Sequence, residues 1–327
     1  ADALLKQDID SLAQLNPIFD QLLNSPKDLA IFLEKHCSKI DADKRFELAL
    51  KCGKQLTKLD LSRFKELDND KLGQLSQACP NLESLNLSYT PIESLDHLPK
   101  NLKSLALNRC TNLEAEQFEK LDASFSQLEE LDICQTHITA LAHLPRSLRK
   151  MNLSECRDVP AEEFENLDGF FSQLEALNVC NTRITKLTAL PKSLKEIDLS
   201  FCQDVSAEEF EKLNESFSHL EVLNVSTTNI AKLADLPKSL KELDLRSCQD
   251  ISAEEFEKLN ESFSHLKDLN LRFTNIAKLA NLPKSLKELD LSYCQDISAE
   301  EFEKLDDSFS HLEVLYLAVT NIAKLAS

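Results

Sequence analysis

Glycine and tryptophan are nearly missing from this chain of 327 residues, which holds three glycines and no tryptophan. With glycine only at positions 53, 73 and 169, no Gly-rich loop can cradle a phosphate, and the turns must be built from Asn, Asp, Ser, Thr and Pro. Long apolar runs are also absent: nothing approaches the roughly 20 residues of a membrane span. The start, Ala1-Asp2-Ala3, shows no basic segment followed by an apolar stretch, so no secretory signal is read there. There is no initiator methionine, and Ser327 falls where another Leu-Pro would begin, so a piece of a longer chain is expected. Positive charge is in deficit, with 37 Lys and Arg against 56 Asp and Glu and a net charge of −19. That balance argues against nucleic acid or an anionic membrane as partner and suits a protein with a basic patch.

Ten cysteines invite a disulfide framework, but their spacing refuses it. Cys110, Cys156, Cys202, Cys248 and Cys294 recur every 46 residues. Equivalent positions two units apart in a parallel stack lie about 10 Å from each other, beyond the roughly 7 Å between Cα atoms that a disulfide tolerates. They read as small buried apolar plugs in a reducing compartment.

Self-comparison organises the rest. Leu-Pro stands at 98–99, 144–145, 190–191, 236–237 and 282–283, a strict period of 46. Periods of roughly 20–50 residues mark a solenoid. Within each block the pattern L-x-x-L-x-L-x-x-[C/T/F] occurs twice, its first leucines running from Leu56 and Leu82 to Leu286 and Leu312 in steps that alternate 26 and 20. Twelve such matches hold register from end to end. In Leu240-x-x-Leu243-x-Leu245 the last two leucines alternate as in a short strand with one buried face. A single unit cannot bury that face, so stacking must supply the core.

Other positions follow from that frame. Thr90, Thr136, Thr182, Thr228, Thr274 and Thr320 occupy the ninth position after each 26-residue step, where a hydroxyl can satisfy a backbone group in the adjoining turn. The longer connection reads as a helix: Ser252 and Glu255 have the spacing of a capping box, repeated by Ser206/Glu209 and Ser298/Glu301. Phe256, Leu259 and Phe263 fall on one of its faces. The shorter connection, Thr274 to Pro283, has room only for an extended or single-turn crossing. Its proline precedes the strand, where no ladder donor is lost.

Residues 1–53 do not repeat. Asn16-Pro17 and Ser25-Pro26 are helix-start signals, Leu4, Leu5, Ile9 and Leu12 have helical spacing, as do Phe46 and Leu50, and Gly53 suits a C-cap. Four short helices shielding the first repeat are expected, as terminal units require.

The leucine pattern resembles that of leucine-rich-repeat proteins across residues 54–327. The 20-residue units beginning Leu-Pro-Lys-Ser-Leu-Lys are similar to the Leu-Pro repeats of effectors that pathogenic bacteria inject into host cells. The 26-residue units, with Leu-x-x-Cys and then Asp250-Ile251-Ser252, resemble the cysteine-containing repeats of eukaryotic F-box adaptors. The resemblance implies an α/β solenoid: a right-handed horseshoe of about twelve repeats with a parallel concave sheet, helices on alternate convex connections and an N-terminal helical cap. Some bacterial relatives carry a catalytic Cys-x-Asp in a separate ubiquitin-ligase domain. Here Cys156-Arg-Asp158, Cys202-Gln-Asp204, Cys248-Gln-Asp250 and Cys294-Gln-Asp296 recur with the repeat, as architecture does.

In this fold the residues between the leucines form the open face. The fifth-position column, from Asp60 and Asn86 to Asp290 and Tyr316, supports two readings: a polar ladder that keeps the sheet wettable, or a recognition row. The eighth position varies while the scaffold does not, through Arg63, Tyr89, Arg109, Gln135, Glu155, Asn181, Phe201, Thr227, Ser247, Phe273, Tyr293 and Val319. Arg246 and Arg272 stand one place earlier. Aromatics and Arg are enriched in binding hot spots. The candidate partner-binding residues are therefore Tyr89, Arg109, Phe201, Glu242, Asp244, Arg246, Arg272, Phe273, Asp290, Tyr293 and Tyr316. Repeat drift with paired charges is the competing explanation.

No catalytic, cofactor or metal site emerges. His219, His265 and His311 mark the repeat, with successive copies about 10 Å apart, too far to share a metal bound at roughly 2 Å. His36, His97, His137 and His143 lack a Cys/His cluster or a Ser partner, and acidic pairs such as Glu254-Glu255 sit in helix first turns, where the dipole favours them. The expectation is a monomeric, non-enzymatic bacterial effector that holds a host protein in the host's reducing cytosol, with no cofactor, nucleic acid or membrane span. The alternative is a ubiquitin-ligase adaptor in which Leu15–Phe19 through Asp28–Leu33 and Cys37 form a divergent F-box.

Overall fold

The computed structural model describes residues 25–302 and 309–320. The expected helices around Leu4–Leu12 and Asn16-Pro17 lie outside the described residues. The chain divides into two compact units, 1–152 and 153–327.

The first unit opens with α1 (Pro26–His36). Ser25 caps it by accepting the Asp28 N–H, and Pro26 occupies the first turn, where its missing donor costs nothing. Its inward face buries Leu29, Ala30, Phe32 and Leu33. Helix α2 (Ala42–Cys52) starts at Asp41, which accepts the Lys44 N–H, and ends at Gly53, whose φ of 55° is the left-handed conformation that glycine adopts most cheaply.

Five strands follow, each of three residues: β1 (Lys58–Asp60), β2 (Ser84–Asn86), β3 (Ser104–Ala106), β4 (Glu130–Asp132) and β5 (Lys150–Asn152). Each pairs in parallel with the next, and the middle residue of every strand, Leu59, Leu85, Leu105, Leu131 and Met151, is buried. The 26-residue connections carry helices, α3 (Asn69–Ala78) and the pair Ala115–Phe118 and Leu121–Ser124, whereas the 20-residue connections carry none.

Strand β1 begins the ladder, so its outer backbone groups have no preceding strand. Two charged side chains of the helices stand in for it. One Glu34 oxygen accepts from the N–H groups of Thr57 and Lys58 and from the Thr57 hydroxyl, at 3.0, 3.1 and 2.9 Å. The buried Arg45 guanidinium donates to the Asp60 carbonyl at 2.6 Å and pairs with the Asp60 carboxylate at 3.0 Å.

The second unit repeats the plan with β6 (Ala176–Asn178), β7 (Glu196–Asp198), β8 (Val222–Asn224), β9 (Glu242–Asp244), β10 (Asp268–Asn270), β11 (Glu288–Asp290) and β12 (Val314–Tyr316). All are parallel and in register at their central apolar residue. Behind them Phe164, Phe171, Phe210, Phe217, Phe256 and Phe263 are fully buried. Each such side chain contributes roughly 1.5–3 kcal/mol on leaving water.

The helix expected over Ser252–Phe263 forms, but as two four-residue pieces, Ala253–Phe256 and Leu259–Ser262. Its capping box is corrected. The Ser206 and Ser252 side chains make no cap hydrogen bond. The glutamate three residues on reaches out of its own helix, so that Glu209, Glu255 and Glu301 each accept a backbone N–H of the preceding connection, from Leu187, Leu233 and Leu279, all at 2.9 Å. A second staple recurs at the strand start, where Ser193, Ser239 and Ser285 donate to the carbonyls of Leu174, Leu220 and Leu266. Neighbour-to-neighbour bonds win over local ones because a strand of three residues holds little by itself and the stack must be tied elsewhere.

All ten cysteines are free. Cys110, Cys202, Cys248 and Cys294 are buried, and each thiol lies 3.0–3.1 Å from a backbone oxygen, that of Leu87, Val179, Val225 or Leu271. Thr90, Thr182, Thr228 and Thr274 donate to those same four oxygens from the neighbouring unit. One carbonyl thus serves two units, which is why small hydrogen-bonding residues alternate at the ninth position.

Candidate functional site

The open face of each sheet is read column by column. In the fifth position, Asp60, Asn86, Asp132, Asn178, Asp198, Asn224, Asp244, Asn270 and Asp290 each turn back to accept the N–H two residues on, at 2.7–3.1 Å. These are Asx turns that end the strand. Asp244 and Asp290, counted among the binding candidates, carry this local duty as well.

The eighth position holds a backbone feature that the sequence hid. All twelve residues there, from Arg63 to Val319, have φ between 54° and 64°. This left-handed region costs a non-glycine residue about 1–2 kcal/mol, most when it is β-branched as at Thr227 and Val319. Ten of these N–H groups extend the ladder, as Phe201 does to the Ser226 carbonyl and Phe273 to that of Ser292. Glycine would suit the geometry better, yet none of the twelve is glycine.

In the second unit the candidates cluster around Arg272. Phe273 and Tyr293 stack with centroids 4.4 Å apart and planes at 24°. The Arg272 guanidinium lies 5.0 Å from the Phe273 centroid and 4.8 Å from that of Tyr293. Phe273 is 38% exposed, and Tyr293 is half-buried by its neighbours without entering the core. Arg246 pairs with Asp244 at 3.1 Å. Tyr316, 49% exposed, aligns with Asp290 across β11 and β12. Phe201, 52% exposed, stands apart, with Thr227 and Ser247 between it and Phe273 in the column.

Beside this cluster a shallow trough crosses β8 to β12, lined by Glu242, Asp244, Asp268, Glu288, Asp290 and Tyr316. Asp268 and Glu288 were missed as candidates. They sit in the third position, aligned directly with Glu242 across β9, β10 and β11. Their spacings of 26 and 20 could have revealed them. Desolvation and the charges of Asp268, Glu196 and Glu288 push the Glu242 carboxyl above its usual range. Burial pushes Asp244 up too, against the pull of the Arg246 N–H and guanidinium.

Internal comparison shows where the sequence diverges. Residues 220–239 and 266–285 differ at six of twenty positions, five of them within 267–273. Glu221, Val222, Ser226 and Thr227 correspond to Lys267, Asp268, Arg272 and Phe273 on the open face. The changes gather in and around one strand, whereas the connection that follows it differs only at Asp235 and Asn281.

Tyr89 and Arg109 belong to the first unit, where the Tyr89 ring has the guanidinium of Arg63 at 5.2 Å and that of Arg109 at 5.3 Å. In two of the Cys-x-Asp motifs burial pushes the thiols of Cys202 and Cys248 up to about 11, which disfavours the thiolate form. Among the described residues no group of three or more His, Cys, Asp or Glu is arranged to hold a metal, and no helix is long and apolar enough to cross a membrane.

A leucine-rich-repeat family model matches residues 283–300. Among solved structures, an internalin from Listeria monocytogenes is similar, with a TM-score of 0.58 and 19% identity, over 86% of this chain and 86% of that one. No curated protein matches in sequence. The fold is a leucine-rich-repeat solenoid, an architecture that generally serves as a scaffold for binding other proteins.

Proposed function

We propose that this chain is a non-enzymatic binding protein, a bacterial effector that holds a host protein on the open sheet face of its second unit. The observation that carries the reading is the Arg272–Phe273–Tyr293 cluster beside a row of carboxylates. Two stacked rings, one exposed and one half-buried, and an arginine make an anchor of the residue types that dominate binding energy. The carboxylates of Glu242, Asp268 and Glu288 stand in register on three adjacent strands, so a basic segment of the partner relieves their mutual repulsion. Phe201, Asp244, Arg246, Asp290 and Tyr316 complete the face.

The effector assignment draws on the Leu-Pro repeats and on the likeness to an internalin. Ten free cysteines suit a reducing cytosol, that of the host after translocation. The contacts of Glu34 and Arg45 with β1 support residues 26–53 as a cap rather than a divergent F-box, because both charges are committed to the first strand.

Capture from host-cell lysate tests the reading. The Phe273→Ala/Tyr293→Ala double variant should hold its partner about tenfold or more weaker, with an unchanged melting temperature. Equal capture by the variant overturns it. Recovery of a ubiquitin-ligase linker protein through residues 1–53 would favour the adaptor instead.

A further inference from the structure

We infer that the first unit carries a separate site for an acidic segment of a partner protein, built by Arg63, Lys65, Tyr89 and Arg109. Arg63, Tyr89 and Arg109 occupy the eighth position of three consecutive units, on backbone held at φ of 64°, 62° and 57°. The ring of Tyr89, 41% exposed, has one guanidinium at 5.2 Å and the other at 5.3 Å. The two guanidinium carbons therefore stand no more than about 10.5 Å apart. A cation–π contact uses the face of the ring and consumes none of a guanidinium's five N–H donors. Arg109 gives one of these, its Nε–H, to the uncharged Gln135 side chain.

Charge makes the arrangement unusual. The chain carries 19 excess negative charges, and many of its lysines pair with carboxylates, as Lys103 does with Glu83 and Lys120 with Asp96. Among the described residues, Arg63, Lys65 and Arg109 have no carboxylate within salt-bridge distance. A depression beside the ring is lined by Lys65, Tyr89, Thr90, Pro91, Arg109 and Asn112, with no acidic residue among its walls. Three cations thus stand unneutralised around an aromatic face in an acidic protein, and a carboxylate is the group that guanidinium forks grip best alongside phosphate. Carboxylates two or three residues apart on an extended segment span roughly 7–10 Å, within the upper bound on the separation of the arginines. A nucleic acid, with its continuous phosphate charge, meets only three cations here and the repulsion of the whole chain.

Fluorescence anisotropy with the full chain tests the site. The probe is a labelled extended peptide with glutamates at every second or third residue. An otherwise identical peptide with glutamine in their place is the first control, and a single-stranded oligonucleotide of equal length is the second. The glutamate peptide should bind at least about tenfold tighter than the glutamine peptide, and lose affinity as salt rises from about 50 to about 300 mM. Arg63→Gln/Arg109→Gln should remove that preference, whereas Phe273→Ala/Tyr293→Ala in the second unit should leave it intact. Equal binding of the two peptides by the unaltered chain overturns the proposal without reference to any variant. So does a preference kept by Arg63→Gln/Arg109→Gln, or an oligonucleotide that binds more tightly than the glutamate peptide.

Discussion

On the first unit's sheet face one aromatic, Tyr89, is flanked by two arginines. On the second unit's face two aromatics stack on each other and share one arginine. Both groups rise from the eighth position of their repeats, on the same left-handed backbone. The third position separates them further, holding Lys58, Ser84, Ser104, Glu130 and Lys150 in the first unit but Glu196, Glu242, Asp268 and Glu288 across β7 to β11, interrupted only by Val222. The scaffold fixes where a side chain emerges, and the repeat leaves its chemistry open, so one fold presents a cationic face and an acidic one.

The comparison is broken hardest at the first strand. Arg45→Ala removes the donor that serves the Asp60 carbonyl and the partner of its carboxylate. A loss of roughly 2–3 kcal/mol is expected, discounted from a fully buried pair because Asp60 is partly exposed. Hydrogen exchange should show that loss in β1 while β9 keeps its protection. Equal loss in both strands would mean that Arg45 is not a local substitute for a preceding strand.

A smaller effect sharpens the reading of the eighth column. Thr227→Asn places a residue tolerant of positive φ on a left-handed backbone and should stabilise by about 0.5–1 kcal/mol in thermal unfolding. Tyr89→Asn should gain less or lose, because it gives up its contacts with Arg63 and Arg109. If both substitutions stabilise alike, those contacts contribute nothing.

The smallest effect concerns charge in the third column. Glu242 has a raised carboxyl pKa in the fold, so its charged form is penalised there, and lowering the pH through that value relieves the penalty. Its contribution to stability therefore rises as pH falls from neutral toward the carboxylate range. Asp268→Asn should stabilise the chain at pH 7 by roughly 0.5 kcal/mol or less and flatten that local pH response, while weakening any basic partner. Glu255 has the opposite sign: despite burial pushing it up, hydrogen bonds from Lys258 and from the Leu233 N–H hold it low. The stability it contributes is present above its unfolded pKa and fades as pH falls below that range, a loss that Glu255→Gln should reduce in acid unfolding.

Much of this is legible in the sequence. The 26/20 alternation placed each strand, the buried thiols and the helical connections, because a leucine three and then two residues from the last can share one interior only in a stack. The candidate faces were legible in part. Phe273, Arg272 and Tyr293 stood out as departures from their repeat, but Asp268 and Glu288 did not, since the third position mixes Lys, Ser, Ala, Val and Glu and shows no pattern until the strands are aligned. The capping-box spacing misled because Glu209 and Glu255 have a better acceptor role between units than within their own helices.

The linear chain by itself determined the repeat, the inward leucines and the period at which neighbours meet, since these depend only on side-chain periodicity and the need to bury apolar surface. Tertiary structure alone decided the left-handed backbone under the eighth column, the use of Glu34 and Arg45 in place of a preceding strand, and the pairing of Arg272 with two rings. Those depend on backbone groups left unsatisfied by neighbours 20 to 26 residues away, and no local residue pattern records which side chain will reach them.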